Sequence, residues 1–227
     1  MVYDYRHFHY MTHPEQLAAH TMQGELRPTK RALFLVFAVS FLLFGFRNVY
    51  GFGSHTVMHI LAQEGEAMYQ VARLMSLLGS MLYSGLYVAL IIFGMAFIFA
   101  AFTEIPYRAF LPLQLIVASL YLFEKALLTL FFVMRDEIAS LSVFSFGPLA
   151  HRWIDNEFLV YFLNQWSIFT IVIISLQYRF IKTLEPNGKR AFVLVVGLHL
   201  FITLIIAGIS LTPFDDLYRS LMGGGVR

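Results

Sequence analysis

The chain contains no cysteine, which removes disulfides, thiolate-bound metals and thiol catalysis together. Charge is also scarce: 13% of the 227 residues are Asp, Glu, Lys or Arg, against about 25% in a typical soluble domain. The net charge is only +2, and the basic residues sit at the ends of apolar runs, so nucleic acid is not an expected partner. There is no H-E-x-x-H, no G-x-S-x-G, no Walker lysine motif and no dinucleotide glycine fingerprint. Nothing therefore nominates a cofactor, and the expectation is a protein that is not an enzyme. Residues 1–30 are polar and His-rich and lack the apolar core of a secretory leader, so no signal peptide is expected.

What fills the chain instead is apolar sequence, 59% of it, with a mean hydropathy of +0.69. A membrane-spanning helix needs about 20 mostly apolar residues. Runs of that kind predict five spans, at about 32–49, 74–102, 109–134, 158–178 and 191–211. The second carries no charge and is longer than one crossing requires, which implies tilt or extension beyond the bilayer. Residues 1–31 form an arm in which PEQLAAHTMQG predicts a short helix with Pro14 in its first turn and Gly24 ending it, lying against the membrane surface. Residues 212–227 form a tail. With the N-terminus inside, nine Lys and Arg fall on the inner side (Arg6, Arg27, Lys30, Arg31, Arg108, Arg179, Lys182, Lys189, Arg190) and five on the outer (Arg73, Arg135, Arg152, Arg219, Arg227). The positive-inside rule then predicts an all-α, multi-pass membrane protein, N-inside and C-outside.

Charges inside a span are costly, about 3 kcal/mol each on the insertion scale, and usually face protein or a cavity. At about 1.5 Å per residue, Arg47 and Glu124 reach a similar depth, and Asn164 and Gln165 enter from the outer side to nearly that level. The simplest reading is a structural clamp in which Arg47 pairs with Glu124 and the two amides satisfy what remains. A sharper one is a polar cavity open to the outside that binds a headgroup, peptide or ion. A proton relay through Glu124 is disfavoured, because no second membrane acid is present to pass the proton on. Lys125 lies about 100° around the helix from Glu124 and aligns with Gln114 and Tyr121, so it is left without an assigned partner.

Ser76, Ser80 and Ser84 form a small-residue ridge suited to close helix packing. His199, Thr203 and Ser210 share one face of the last span, which favours a histidine hydrogen-bonded inside the bundle. His55 and His59 have the i,i+4 spacing of a metal pair but no third ligand at an obvious spacing, and His7 and His9 are weaker still.

The stretch HPEQLAAHTMQGELRPTKRALFLVFAVSFLLFG resembles the opening of the bacterial form of the Yip1 domain, where a Pro-Glu begins a short amphipathic segment before the first span. FLVYFLNQWSIFTIVIISLQYRFIKTLEPNGKRAFVLVVGLHLFITLIIAG is similar to that family's closing pair, with its aromatic start and basic connection. The chain departs from the eukaryotic members in lacking their long N-terminal segment and the DLYGP motif before the first span; Asp216-Leu217-Tyr218 lies in the tail instead. Their vesicle-trafficking roles are therefore not carried over. The resemblance implies a bacterial inner-membrane protein that serves as an accessory subunit, with lipids and other integral membrane proteins as partners. An ABC-type exporter in envelope defence against toxic peptides is among the partners implied. The alternatives are a small-substrate carrier or channel using Arg47, Glu124, Lys125, Asn164 and Gln165, and an intramembrane lipid-modifying enzyme.

Overall fold

A computed structural model describes residues 3–4, 7–23, 26–27, 29–52, 65–135, 141–185 and 187–212. His55, His59 and the tail beyond residue 212 lie outside them. The protein is helical: α1 (His7–Thr12), α2 (Pro14–Met22), α3 (Thr29–Val49), α4 (Glu66–Phe102), α5 (Tyr107–Arg135), α6 (Gly147–Trp153), α7 (Glu157–Asn164), α8 (Ile168–Leu184) and α9 (Gly188–Ser210). A two-residue parallel pairing sets Tyr3–Asp4 beside Leu26–Arg27. Four helices, α3, α4, α5 and α9, are long and apolar enough to cross a membrane. The end of the bundle that carries α1 and α2 is called proximal here, and the opposite end distal.

The fourth apolar run is not one helix. Helix α7 stops at Asn164, the chain turns at Gln165 and Trp166, and Ser167 starts α8 by accepting a hydrogen bond from the Thr170 N–H at 3.1 Å. The break shortens α8 to 17 residues and sets Asn164 and Gln165 at the junction of α7 and α8 instead of inside one continuous helix. Asn187 caps α9 in the same way, accepting from the N–H groups of Lys189 and Arg190. Helix α3 ends in a Schellman motif, with the Phe52 N–H on the Arg47 carbonyl and the Gly51 N–H on that of Asn48. Gly51 takes the required left-handed conformation, φ 92°.

Helix α5 is the centre. Half of its most apolar stretch is buried against protein, compared with about a fifth of the corresponding stretches in α3, α4 and α9. Its Leu115, Ala118 and Leu122 pack with Val36, Phe44, Val88 and Ile92 of α3 and α4. Its Phe110, Leu113, Ile116 and Val117 pack with Phe99 of α4, Ile173 and Phe180 of α8, and Val195 of α9. Helix α4 serves both cores through a π turn at Leu90–Gly94. Its buried residues Ser84, Val88, Ile92 and Ala96 recur every fourth position. A straight helix of 3.6 residues per turn would have rotated Ala96 about 120° away from Ser84. The wider π turn absorbs much of that drift and keeps one face inward.

The apolar side of α2, expected to face a membrane surface, is docked on protein. Leu17 and Ala18 are fully buried, with Tyr10, in the core formed by α5 and α8. The guanidinium of Arg179 grips the Glu15 carboxylate through two bonds, 2.8 and 3.1 Å, and the Tyr10 hydroxyl meets His20 Nδ1 at 3.1 Å. Burial opposes ionisation of Glu15, but the hydrogen bond and charge of Arg179 outweigh it and hold its pKa below the ordinary value. Burial pushes His7 down as well. Both groups therefore stabilise docking most at neutral pH. The His7 share is lost as pH falls through and below the ordinary histidine range, the Glu15 share as it falls through and below that of glutamate. Amide exchange over residues 14–22 should rise as pH is lowered, after correction for intrinsic rates. Glu15→Gln should exchange faster than the wild type at pH 7, by up to about fivefold, as befits a half-exposed pair; equal protection in the two proteins would remove Glu15 from the docking contact.

Candidate functional site

Two polar groupings lie within the bundle. The distal one starts from Arg47, two residues from the end of α3. Its guanidinium lies between the Phe44 and Phe52 rings, 5.8 and 4.8 Å from their centroids, the second ring returned to it by the Schellman turn. Arg47 Nη1 donates to Thr129 Oγ1 at 3.0 Å, and that hydroxyl in turn donates to the Lys125 carbonyl one turn back. The expected pair of Arg47 with Glu124 does not form. Equal depth places two residues at one level but says nothing of direction around their helices, and Glu124 points elsewhere. It is buried beside the Ser167 hydroxyl at the start of α8, with Tyr121 and Tyr87 nearby. Lys125 is half-buried and lies in the electrostatic reach of both Glu124 and Arg47.

Asn164 and Gln165 do not join this group. Asn164 Oδ1 accepts from the Ser142 N–H and the Ser145 hydroxyl, both at 2.8 Å, and so fastens the α6–α7 segment. The Phe146 N–H reaches the Trp166 carbonyl and the Ile168 N–H that of Phe144, completing a distal cap that sets Ser167 in place. Gln165 contacts only its own neighbourhood, its amide on the Tyr161 carbonyl and its carbonyl accepting from the Thr170 hydroxyl.

The serine ridge faces α3. Asn48 Nδ2 donates to Ser76 Oγ at 2.9 Å, Ser80 donates to the Phe44 carbonyl and Ser40 to the Ser84 carbonyl. Small side chains let the two backbones approach, and the Ser40, Ser76 and Ser80 hydroxyls find partners across the gap, while that of Ser84 donates to the Met81 carbonyl of its own helix.

The second grouping is deeper and includes a residue that the sequence did not single out. Gln177 of α8 donates to Gln114 of α5 at 3.4 Å and accepts from His199 of α9 at 2.8 Å. Gln114 and Gln177 are fully buried and His199 nearly so, with Thr203 beside it on the same helix. Gln114 Nε2 has no partner. Turning both amides over leaves the Gln114 oxygen in that place, so either way the triad is one bond short on Gln114 alone. Gln177 carries a legible signal in hindsight: in IVIISLQYRF it stands four residues after Ile173 and three before Phe180, on the buried face of α8. Proximal to the triad, the Phe99 and Phe110 rings stack at 5.6 Å and the Phe180 ring lies tilted against Phe110 at 5.9 Å, an aromatic layer between the triad and the end where α2 docks.

Among the described residues, no three His, Asp or Glu side chains gather closely enough to hold a metal ion. His9 and His13 stack at 4.8 Å, but His9 is engaged with Gln16 and His13 with the Thr12 hydroxyl. Chemically, then, both groupings join helices: α3 to α5 through Arg47, and α5 to α8 and α9 through Gln177. No family model matches this chain, and neither the curated proteins nor the solved structures contain a match to it.

Proposed function

We propose that this is a non-enzymatic accessory subunit of a membrane complex, crossing the inner membrane of a bacterium five times with α1 and α2 on the cytoplasmic side. The fifth crossing is α8, whose 17 residues span about 25 Å and are completed distally by α7. The Lys and Arg count across the loops supports this orientation. The Yip1-domain resemblance of residues 13–45 and 158–208 points to an ABC-type exporter as the partner.

The observation that carries the reading is the outer face of α4. Arg73 donates to the Val49 carbonyl at 3.3 Å, so residues before Arg73 lie beyond the end of α3. The candidate span Lys30–Val49 has 20 residues, about 30 Å, which is the thickness of the hydrocarbon core. Met68 and Val71 are each 52% exposed past that level, in line with the exposed Met75, Leu78 and Leu82 within it. Lipid chains cover the lower part of such a stripe but not its top; a helix of another membrane protein covers both. Arg47, Asn48, Asn164 and Gln177, meanwhile, are each occupied with a neighbour inside the protein.

Purification in a mild detergent followed by mass spectrometry tests this. The wild type should emerge with a second integral membrane protein at fixed stoichiometry, and Val71→Asp should lose it at unchanged thermal stability. A wild type recovered as a lone, stable chain would remove the accessory role.

A further inference from the structure

We propose that Arg47 and Lys125 together hold a singly charged phosphate group, entering between α3 and α5 at the distal side. The site is built around Thr129, whose hydroxyl receives Arg47 Nη1 at 3.0 Å while donating to the Lys125 carbonyl. That anchors the guanidinium one turn from Lys125 on the same helix. Arg47 has five N–H donors and spends one of them on Thr129. The remaining edge is flanked by the Phe44 and Phe52 rings, which limit the directions from which a ligand approaches. The Lys125 ammonium makes no hydrogen bond or ion pair, and Glu124 next to it faces Ser167 with no ion pair of its own.

The charges do not balance. Among the described residues, two cations and one carboxylate share this part of the bundle, leaving one positive charge uncompensated in low-dielectric surroundings, where charge is expensive. One phosphate monoanion cancels it. Guanidinium offers phosphate a planar pair of donors, and an ammonium adds a point charge from the side. The position fits a lipid source: Arg47 is two residues, about 3 Å, inside the end of a helix as long as the hydrocarbon core is thick, within side-chain reach of the headgroup layer that borders the core. A phosphate drawn in there would lie against α3, α5 and the rings, with its acyl chains on the exposed outer faces. If Lys125 instead merely extends to the surface, no ligand is selected.

The experiment uses the full chain, delipidated in detergent, and reads thermal unfolding. Phosphatidylglycerol should raise the midpoint of the wild type by roughly 5 °C. Diacylglycerol with the same chains should not. Lys125→Met should lose the response and Lys125→Arg should keep most of it. A rise with inorganic phosphate in the wild type, absent in Lys125→Met, would support the phosphate site and make its source a soluble anion. An equal response to diacylglycerol, or an equal response in Lys125→Met, would overturn the proposal. If Lys125→Met does not accumulate, native mass spectrometry of the wild type decides. Retained lipid that exchanges with phosphatidylglycerol and not with diacylglycerol supports the site, and a bare chain overturns it.

Discussion

Replacing Gln177 with leucine should destabilise the protein by about 3–4 kcal/mol, far more than the bonds it makes are worth. A hydrogen bond between membrane helices averages about 0.6 kcal/mol, because alternative partners are available in the unfolded state. The loss arises from what is left behind. His199 donates to Gln177 and Gln114 accepts from it, and both would be stranded in surroundings closed to water. Each stranded buried group costs about 1–3 kcal/mol. Leucine is close to glutamine in volume, so packing adds little. The same reasoning gives the control: Gln114→Leu combined with Gln177→Leu and His199→Leu removes every polar member and should recover most of the lost stability. Thermal unfolding in detergent checks both, and a single variant within about 1 kcal/mol of wild type would show that the triad does not fasten α5, α8 and α9.

Gly147→Ala should be nearly as damaging, at about 2–3 kcal/mol, for a steric reason. A Cβ at residue 147 would stand 2.6 Å from Asn164 Oδ1 and 3.0 Å from Asn164 Cα. Rotating the asparagine does not relieve the second contact, since that atom is backbone. Moving Asn164 would detach it from the Ser142 N–H and the Ser145 hydroxyl, each held at 2.8 Å. The turn at Gln165–Trp166 would follow, and with it Ser167, which both starts α8 and lies beside Glu124. Hydrogen exchange should therefore speed up over residues 142–167 while α3 and α4 stay protected. Unchanged exchange there would mean that the cap is looser than its contacts suggest.

Much of the fold can be read in the sequence because lipid imposes a strict condition. Segments 32–49, 74–102, 109–134 and 191–211 are long, predominantly apolar runs, and each coincides, to within a residue at its ends, with a helix long enough to cross. The run 158–178 satisfied the same hydropathy and still broke, since apolar content does not reveal a turn. The local signal was there in Asn164-Gln165-Trp166-Ser167, where a serine able to cap the next helix follows two amides. The site was harder to read. Depth along a helix follows from residue number, so Arg47 and Glu124 were placed at one level. Direction follows from packing, which gave Arg47 to Thr129. Gln114 was read with Tyr121 and Lys125 as one stripe, but its partner is Gln177, which stands next to Tyr178 and Arg179 at the end of its apolar run and was not singled out. Docking of α2 was invisible for a similar reason: Leu17 and Ala18 suit a membrane surface and a protein groove equally well.

The account depends most on α8 crossing the membrane, because that crossing sets the side on which α2 docks and the leaflet that Arg47 and Lys125 face. The absence of cysteine makes a direct measurement simple, since a single introduced thiol is the only one to label. Cysteines placed one at a time at Asn156 and at Lys189, on either side of α7 and α8, are exposed to a membrane-impermeant maleimide in intact cells and then in opened cells. Five crossings with the N-terminus inside predict that the Asn156 position is labelled in intact cells and the Lys189 position only after opening. Labelling of both positions from the same side would contradict the account.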